Sequence, residues 1–438
     1  MLYDIPSQYV RLPPGVYLSG EGVPCLLPDH TVGYIPALPG RSYLIVGMTG
    51  SGKSTLTREL TCKLLNEKPD TLGVFFQVKP DDFSSRFMTT DSKIILYRNT
   101  RFFDRNVFHW NMIREIRQAA DPEAELRQLG ESLFGKERLN DPHNGEWAEA
   151  AMNTFLGFLR VLVSSEGEAP SNAQVLRQLR GLSGTRLLQF LARHPDNHPL
   201  LISTFVFDPH HPDAPYKMPR KGEDTLFFMN KIVSRFGGDS FMAEEGQDTL
   251  HDFLHSRGSR LFIQHDLSQE AASRPLEVYL LTKLINDKMS PSAGVTSPVL
   301  MVLDEADKVG SDFGAGKAAT LGRGFGLQLI LSTQSTESLY ALMPPENREH
   351  AGNATLAGFP VKIVFQCGDA QTISTMQSLF GTDRFDITVP ALSRREASTV
   401  QSEREPLVTD LELASLKTGE CYVKVASEPP QKVYMLLP

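Results

Sequence analysis

Short apolar runs, each closed by a glycine, a polar turn or a carboxylate, alternate along this chain with segments whose apolar residues recur at helical spacing. Tyr43-Leu44-Ile45-Val46 is the first clear run, followed by Gly73-Val74-Phe75-Phe76-Gln77-Val78 and Lys93-Ile94-Ile95-Leu96-Tyr97. The pattern resumes at Arg260-Leu261-Phe262-Ile263-Gln264, Pro298-Val299-Leu300-Met301-Val302-Leu303, Leu327-Gln328-Leu329-Ile330-Leu331 and Val361-Lys362-Ile363-Val364-Phe365. Such runs predict strands buried on both faces of an α/β fold with a largely parallel sheet. Val433-Tyr434-Met435-Leu436-Leu437 is expected to close an edge of it.

The middle of the chain has a different period. Trp147, Ala151, Phe155, Phe158 and Leu162 fall near a 3.6-residue repeat and share one helix face. Ser171, with Gln174 three positions on, predicts a capping box opening a helix that turns Val175, Leu176, Leu179 and Leu182 inward. Residues 110–200 therefore read as an all-α insertion within a nucleotide-binding domain formed by residues 41–109 and 201–438. Residues 1–40, rich in proline and glycine with short β-like runs such as Val16-Tyr17-Leu18, read as an extended or hairpin segment.

Composition narrows the class. With 41% hydrophobic and 22% charged residues the chain is expected to be globular, and its formal net charge of -8 implies no bulk attraction to nucleic acid or membrane. Cys25, Cys62, Cys367 and Cys421 have no metal-ligand spacing and fit a reducing, cytoplasmic setting. No signal peptide is expected at Met1-Leu2-Tyr3-Asp4-Ile5-Pro6, and the longest apolar stretch, Phe155 to Val163, is too short to span a bilayer.

The chemistry begins after the first strand. Gly47-Met48-Thr49-Gly50-Ser51-Gly52-Lys53-Ser54, followed by Thr55, is a complete phosphate-binding loop between a strand and a helix. Glycines let successive amides converge on an anion, and the helix adds the positive end of its dipole. Lys53 is expected on the β- and γ-phosphates of ATP and Ser54 on Mg²⁺. Asp304-Glu305, at the end of the run Val299–Leu303, supplies the second half: Asp304 for Mg²⁺ through its water shell, Glu305 to polarise the attacking water.

Two further residues are less determined by pattern. Gln334, at the tip of the next strand in Ser332-Thr333-Gln334, is either a sensor of the γ-phosphate or a loop cap. Arg323, in Leu321-Gly322-Arg323-Gly324-Phe325-Gly326, is either an arginine finger acting across subunits or a surface arginine at a helix end.

Taken in order, the phosphate loop, Lys79-Pro80-Asp81-Asp82, Phe108-His109-Trp110-Asn111, Glu146-Trp147-Ala148-Glu149-Ala150-Ala151, Leu303-Asp304-Glu305, Gly322–Gly326 and Ser332-Thr333-Gln334-Ser335 resemble the type IV coupling proteins of bacterial conjugation. These are relatives of the FtsK-type and HerA-type DNA translocases. Asp369-Ala370-Gln371-Thr372, Leu379-Phe380-Gly381 and Leu416-Lys417-Thr418-Gly419-Glu420 are similar to that family as well. The resemblance implies a RecA-like P-loop NTPase with an inserted all-α domain. It implies a homo-hexameric ring that uses ATP and Mg²⁺, binds DNA without sequence preference, recruits a relaxase or effector, and works with the ATPases of a type IV secretion channel. The family's N-terminal membrane segment has no counterpart in this sequence, which leaves three readings: a longer protein that carries it, an anchor and membrane association supplied by a partner, or a ring working free in the cytosol. A DNA pump outside conjugation, or a nucleotide-switched substrate adaptor with slow ATPase activity, remains open. DNA contact rests on Lys217, Arg220 and Lys221 and on Arg177, Arg180 and Arg186, each cluster being equally readable as a solvated face.

Overall fold

Strands form where the short apolar runs predict them, in a computed structural model that describes residues 22–79, 82–96, 106–140, 145–234, 238–389 and 399–436. Val16-Tyr17-Leu18, Pro80-Asp81, Tyr97 and Leu437 lie outside the described residues. Along the chain come β1 (Gly22–Leu26), β2 (Val32–Pro36), β3 (Tyr43–Val46), β4 (Leu72–Gln77), β5 (Lys93–Ile95) and β6 (Arg260–Gln264). Then follow β7 (Val299–Leu303), β8 (Leu327–Thr333), β9 (Val361–Val364), β10 (Thr382–Val389), β11 (Thr399–Pro406), β12 (Glu420–Val425) and β13 (Gln431–Met435).

The chain divides into two compact units, one formed by residues up to Gly73 together with Pro298 onward, the other by Val74–Ser297. In the first, the strands run in the order β2-β1-β13-β12-β9-β3-β8-β7. Strands β9, β3, β8 and β7 are mutually parallel, with Val46 level with Thr333 and with Val364. Every residue of these four strands is buried, as parallel strands covered on both faces require. Helix Lys53–Glu67 returns from β3 and buries Leu56, Leu60 and Leu64.

The flank is antiparallel. β12 pairs with β9 and β13, and the β1–β2 hairpin adds onto β13. The expected edge position of Val433–Leu437 is thus corrected: β13 is interior, because β1, from the extended or hairpin segment of residues 1–40, supplies it with a second partner. β10 and β11 form a separate two-stranded sheet.

In the second unit β4 neighbours β6 and β6 pairs in parallel with β5. Phe75 stacks on Phe262 with centroids 4.8 Å apart and on Phe87 at 5.4 Å. Helices Met112–Gln118, Pro122–Asn140, Gly145–Val163, Asn172–Gly181, Thr185–Leu191 and Arg220–Val233 follow. The capping box is formed: Ser171 Oγ accepts from the Gln174 amide at 3.3 Å, and Gln174 Oε1 from the Ser171 amide at 2.9 Å. Ala151, Phe155, Phe158 and Leu162 are buried as their spacing predicts, whereas Trp147 is half-exposed and Ala148 opens the buried face.

Phe108-His109-Trp110-Asn111 organises this unit. Asn111 caps helix Met112–Gln118 through the Arg114 amide and donates to the Gly246 carbonyl at 2.9 Å. The Trp110 indole donates to Glu115, which also accepts from the amides of Leu250 and His251. Lys283, on helix Glu270–Met289, lies 3.6 Å from Glu115 and 2.8 Å from both Glu125 and Asp287. Burial alone would lower the Lys283 pKa, but these three carboxylates outweigh it and hold the amine charged.

Candidate functional site

The phosphate loop leaves the C-terminal end of β3, where an open α/β sheet presents its ligands. Its shape is held from behind. The Gly47 amide donates to the Thr333 carbonyl at 3.3 Å and the Met48 amide to the Gln366 carbonyl at 2.8 Å. A Cβ on Gly47 would stand 2.6 Å from the Phe365 Cβ, which leaves room only for glycine there. Gly50 and Gly52 have φ of 81° and 116°, the left-handed region that turns successive amides to one side. The closing Leu416–Glu420 segment has a place here too, since Gly419 donates its amide to the Ser51 carbonyl at 3.0 Å.

Gly52 opens helix Lys53–Glu67 with no side-chain cap, so no side-chain oxygen competes for the helix's first amides. A helix start left open in this way can receive an anion, with the helix dipole behind it. Lys53, only 6% exposed, donates from Nζ to the Gly47 and Met48 carbonyls at 2.6 and 2.9 Å, holding the ammonium against the loop. Thr49 and Gly50 form the exposed tip, and Thr55 is half-buried on the first turn.

Ser54 and Asp304 meet. The Ser54 hydroxyl donates to Asp304 Oδ2 at 2.8 Å, while Asp304 Oδ1 is buried with no hydrogen-bond partner among the described residues. A carboxylate 5% exposed with one oxygen unsatisfied is costly unless a cation or ordered water completes it, so this pair fits a Mg²⁺ site.

Glu305 follows with φ 53° and ψ 53°, a conformation that costs a non-glycine residue about 1–2 kcal/mol. The three-ten turn Ala306–Val309 holds it there, with the Lys308 amide donating to the Glu305 carbonyl at 2.9 Å. Non-glycine residues held in this region are enriched at functional sites. Gln334, at the end of β8, donates from Nε2 to Glu305 Oε1 at 3.4 Å. Asp307 pairs with Lys308 at 3.2 Å and faces the Thr333 hydroxyl at 3.5 Å, so it is tied into the same turn.

Arg323 stands apart from these residues. It lies in the three-ten turn Gly322–Phe325 before β8, exposed, at the opposite end of the strand from Gln334. The seven residues of β8 put roughly 20 Å between it and the phosphate loop of its own chain. Among the basic clusters, Arg177 is forked onto Glu244 at 2.9 and 2.5 Å and Arg220 sits 3.9 Å from Asp224, while Lys217, Lys221, Arg180 and Arg186 are exposed.

Sequence reasoning missed the frame behind the loop: Phe365 and Gln366, brought by the pairing of β9 with β3, and Gly419, just before β12, touch it from more than three hundred positions away.

The family profile described as the type IV secretion-system coupling protein DNA-binding domain matches residues 30–436. No curated protein matches the sequence. Among solved structures, the plasmid coupling protein TrwB in complex with ADP and Mg²⁺ is 19% identical, with a TM-score of 0.68 over 96% of this chain and 90% of that one. TrwB with a non-hydrolysable ATP analogue gives 19% identity and a TM-score of 0.67 over the same shares, 96% and 90%. VirB4 of Thermoanaerobacter pseudethanolicus is 12% identical, with a TM-score of 0.56 over 97% of this chain and 98% of that one. These likenesses show a common fold. Among the described residues, no helix is long and apolar enough to cross a membrane.

Proposed function

As the chain belongs to the type IV secretion-system coupling protein family, we propose that it is a Mg²⁺-dependent ATPase that recruits a transfer substrate and drives DNA, or DNA with bound protein, toward a secretion channel. The observation that carries the ATPase is the Ser54–Asp304 hydrogen bond, with Glu305 and Gln334 in contact beside it. The TrwB structures with ADP and Mg²⁺ and with an ATP analogue support the same ligands.

In this reading Lys53 and the amides of Gly47–Thr55 bind the phosphates of ATP. Ser54 and Asp304 hold Mg²⁺, whose charge would draw electron density from the β- and γ-phosphate oxygens. Glu305 orients the attacking water and accepts its proton, and Gln334 touches the γ-phosphate or that water. Arg323, too distant from its own loop, acts on a neighbouring subunit's nucleotide, which requires a ring, here a homo-hexamer. Exposed Lys217, Lys221, Arg180 and Arg186 contact DNA phosphates, a sequence-independent mode. The helical insertion, residues 110–200, receives the relaxase or effector, and the ring works with the channel ATPases of the secretion system.

ATP hydrolysis measured against protein concentration, with and without DNA, tests this. A motor ring gives DNA-stimulated activity rising more steeply than linearly with protein, and particle images with nucleotide and DNA show closed rings. Activity indifferent to both, from monomeric particles, overturns the motor in favour of a nucleotide-switched adaptor.

A further inference from the structure

The Asp369-Ala370-Gln371-Thr372 corner has no part in the site as described so far, yet it touches that site from two sides. Asp369 caps helix Ala370–Phe380 by accepting the Thr372 amide at 2.7 Å. With its amide so used, Thr372 turns its hydroxyl to the Thr336 amide, which donates to Thr372 Oγ1 at 2.9 Å. The two threonine hydroxyls are also 3.2 Å apart, and both residues are fully buried. Thr336 is the first residue of helix Thr336–Tyr340, so its amide has no acceptor within that helix. It is also two positions past Gln334.

On Gln334's other side, the Thr333 hydroxyl donates to the Ser335 carbonyl at 3.0 Å. The same corner reaches the phosphate loop, because the segment joining β9 to helix Ala370–Phe380 includes Phe365, whose amide donates to the Val46 carbonyl, and Gln366, which receives the Met48 amide. The corner therefore ties the peptide that carries Gln334 to the strand end that carries the phosphate loop.

We propose that Thr372 is a positioning residue for Gln334: its buried hydroxyl fixes the Thr336 amide and so aims Gln334 at Glu305 and the γ-phosphate. This rests on the reading of Gln334 as a γ-phosphate sensor. Displacing a catalytic side chain by about 1 Å costs up to roughly a hundredfold in rate. A hydroxyl that only satisfied a buried amide would change stability and leave the Gln334 contribution intact.

The test uses Thr372→Val, nearly isosteric but without the acceptor, and Thr372→Ser, which keeps it, each alone and combined with Gln334→Ala. The full chain is assayed for kcat and KM of ATP, and for the ratio of its affinities for a non-hydrolysable ATP analogue and ADP. Thr372→Val is expected to lower kcat at least about tenfold, to leave KM within about twofold, and to have no further effect once Gln334 is alanine. Thr372→Ser stays near wild type. An equal loss in the Gln334→Ala background, or a serine variant as impaired as the valine one, overturns the proposal. Should Thr372→Val not fold, Thr336→Pro removes the donated amide at a first helical position where proline is tolerated, after a Ser335 already extended at φ -147° and ψ 158°. It is held to the same expectations.

If the wild-type chain binds ATP without hydrolysing it, the ATPase reading fails and the affinity ratio decides the positioning role. Thr372→Val must then remove the same part of the ATP preference that Gln334→Ala removes, and an unchanged ratio overturns the proposal. If Gln334→Ala alters neither rate nor ratio, there is nothing for Thr372 to aim, and the proposal falls.

Discussion

Ser54 Oγ and Asp304 Oδ2 lie 2.8 Å apart although 250 positions separate them in the chain. Their strands are not adjacent, since β8 stands between β3 and β7, but the helix that starts at Lys53 carries Ser54 across to the end of β7. The other oxygen of Asp304 is buried and has no hydrogen-bond partner among the described residues, a donor set that fits a cation.

The first prediction concerns this pair and its neighbour. Asp304→Ala abolishes the Mg²⁺ dependence of ATP binding, while Glu305→Gln leaves binding intact and lowers turnover by about 10²–10⁴-fold. Titration of ATP with and without Mg²⁺, followed by steady-state hydrolysis, separates the two; a Glu305→Gln variant that turns over normally removes Glu305 from the mechanism.

Arg323 is expected to act only in trans, because β8 holds it at the far end of the strand from Gln334. Arg323→Ala and Lys53→Ala are each inactive alone, and mixing them restores hydrolysis by pairing an intact phosphate loop with an intact neighbouring arginine. Mixtures that assemble yet stay inactive return Arg323 to the status of a surface residue.

His265 carries a pH prediction. It is fully buried, with Nδ1 2.8 Å from Glu277 and Nε2 3.4 Å from Glu270, which also pairs with Arg274. Burial alone would depress its pKa, but the hydrogen bonds and charges of Glu277 and Glu270 prevail and raise it above 6.5. A raised folded value means that the stabilisation is complete below the unfolded pKa, near 6.5, and is lost as pH climbs through the folded one. The thermal midpoint therefore falls as pH rises above about 6.5, and His265→Gln flattens that slope. An unchanged slope in the variant assigns it to other groups.

Lys283 is the stability counterpart. Replaced by methionine, it leaves Glu115, Glu125 and Asp287 without their shared cation, and removing one partner of a buried ion pair costs about 3–5 kcal/mol. Urea unfolding of Lys283→Met measures it. A loss confined to a few tenths would mean that the carboxylates take up protons without strain.

Much of this was legible in the chain. A strand, three glycines, a lysine and a serine in fixed spacing specify a phosphate site, because only that backbone path brings several amides to one point. The capping box at Ser171 and Gln174 and the buried runs of β3, β6, β7 and β8 follow from local preference and period, so they were readable for the same reason. Residues 1–40 were readable only as an extended or hairpin segment, and the place of β1 and β2 did not follow: β1 covers β13, and no local pattern states which strand a hairpin will pair with.

Sequence by itself determined the chemistry of the site: which residues carry the amine, the hydroxyl and the carboxylates, and the order in which they appear. Tertiary structure alone decided their relations. Parallel pairing of β3 with β8 brought Gln334 to the loop's end of the sheet and sent Arg323 to the other; the turn after β7 forced Glu305 into a left-handed conformation toward Gln334; and β9 carried Thr372 to the Thr336 amide. Spacing along a chain fixes which groups a loop presents, whereas strand register fixes which distant side chains meet beside it, and register is set by packing between strands.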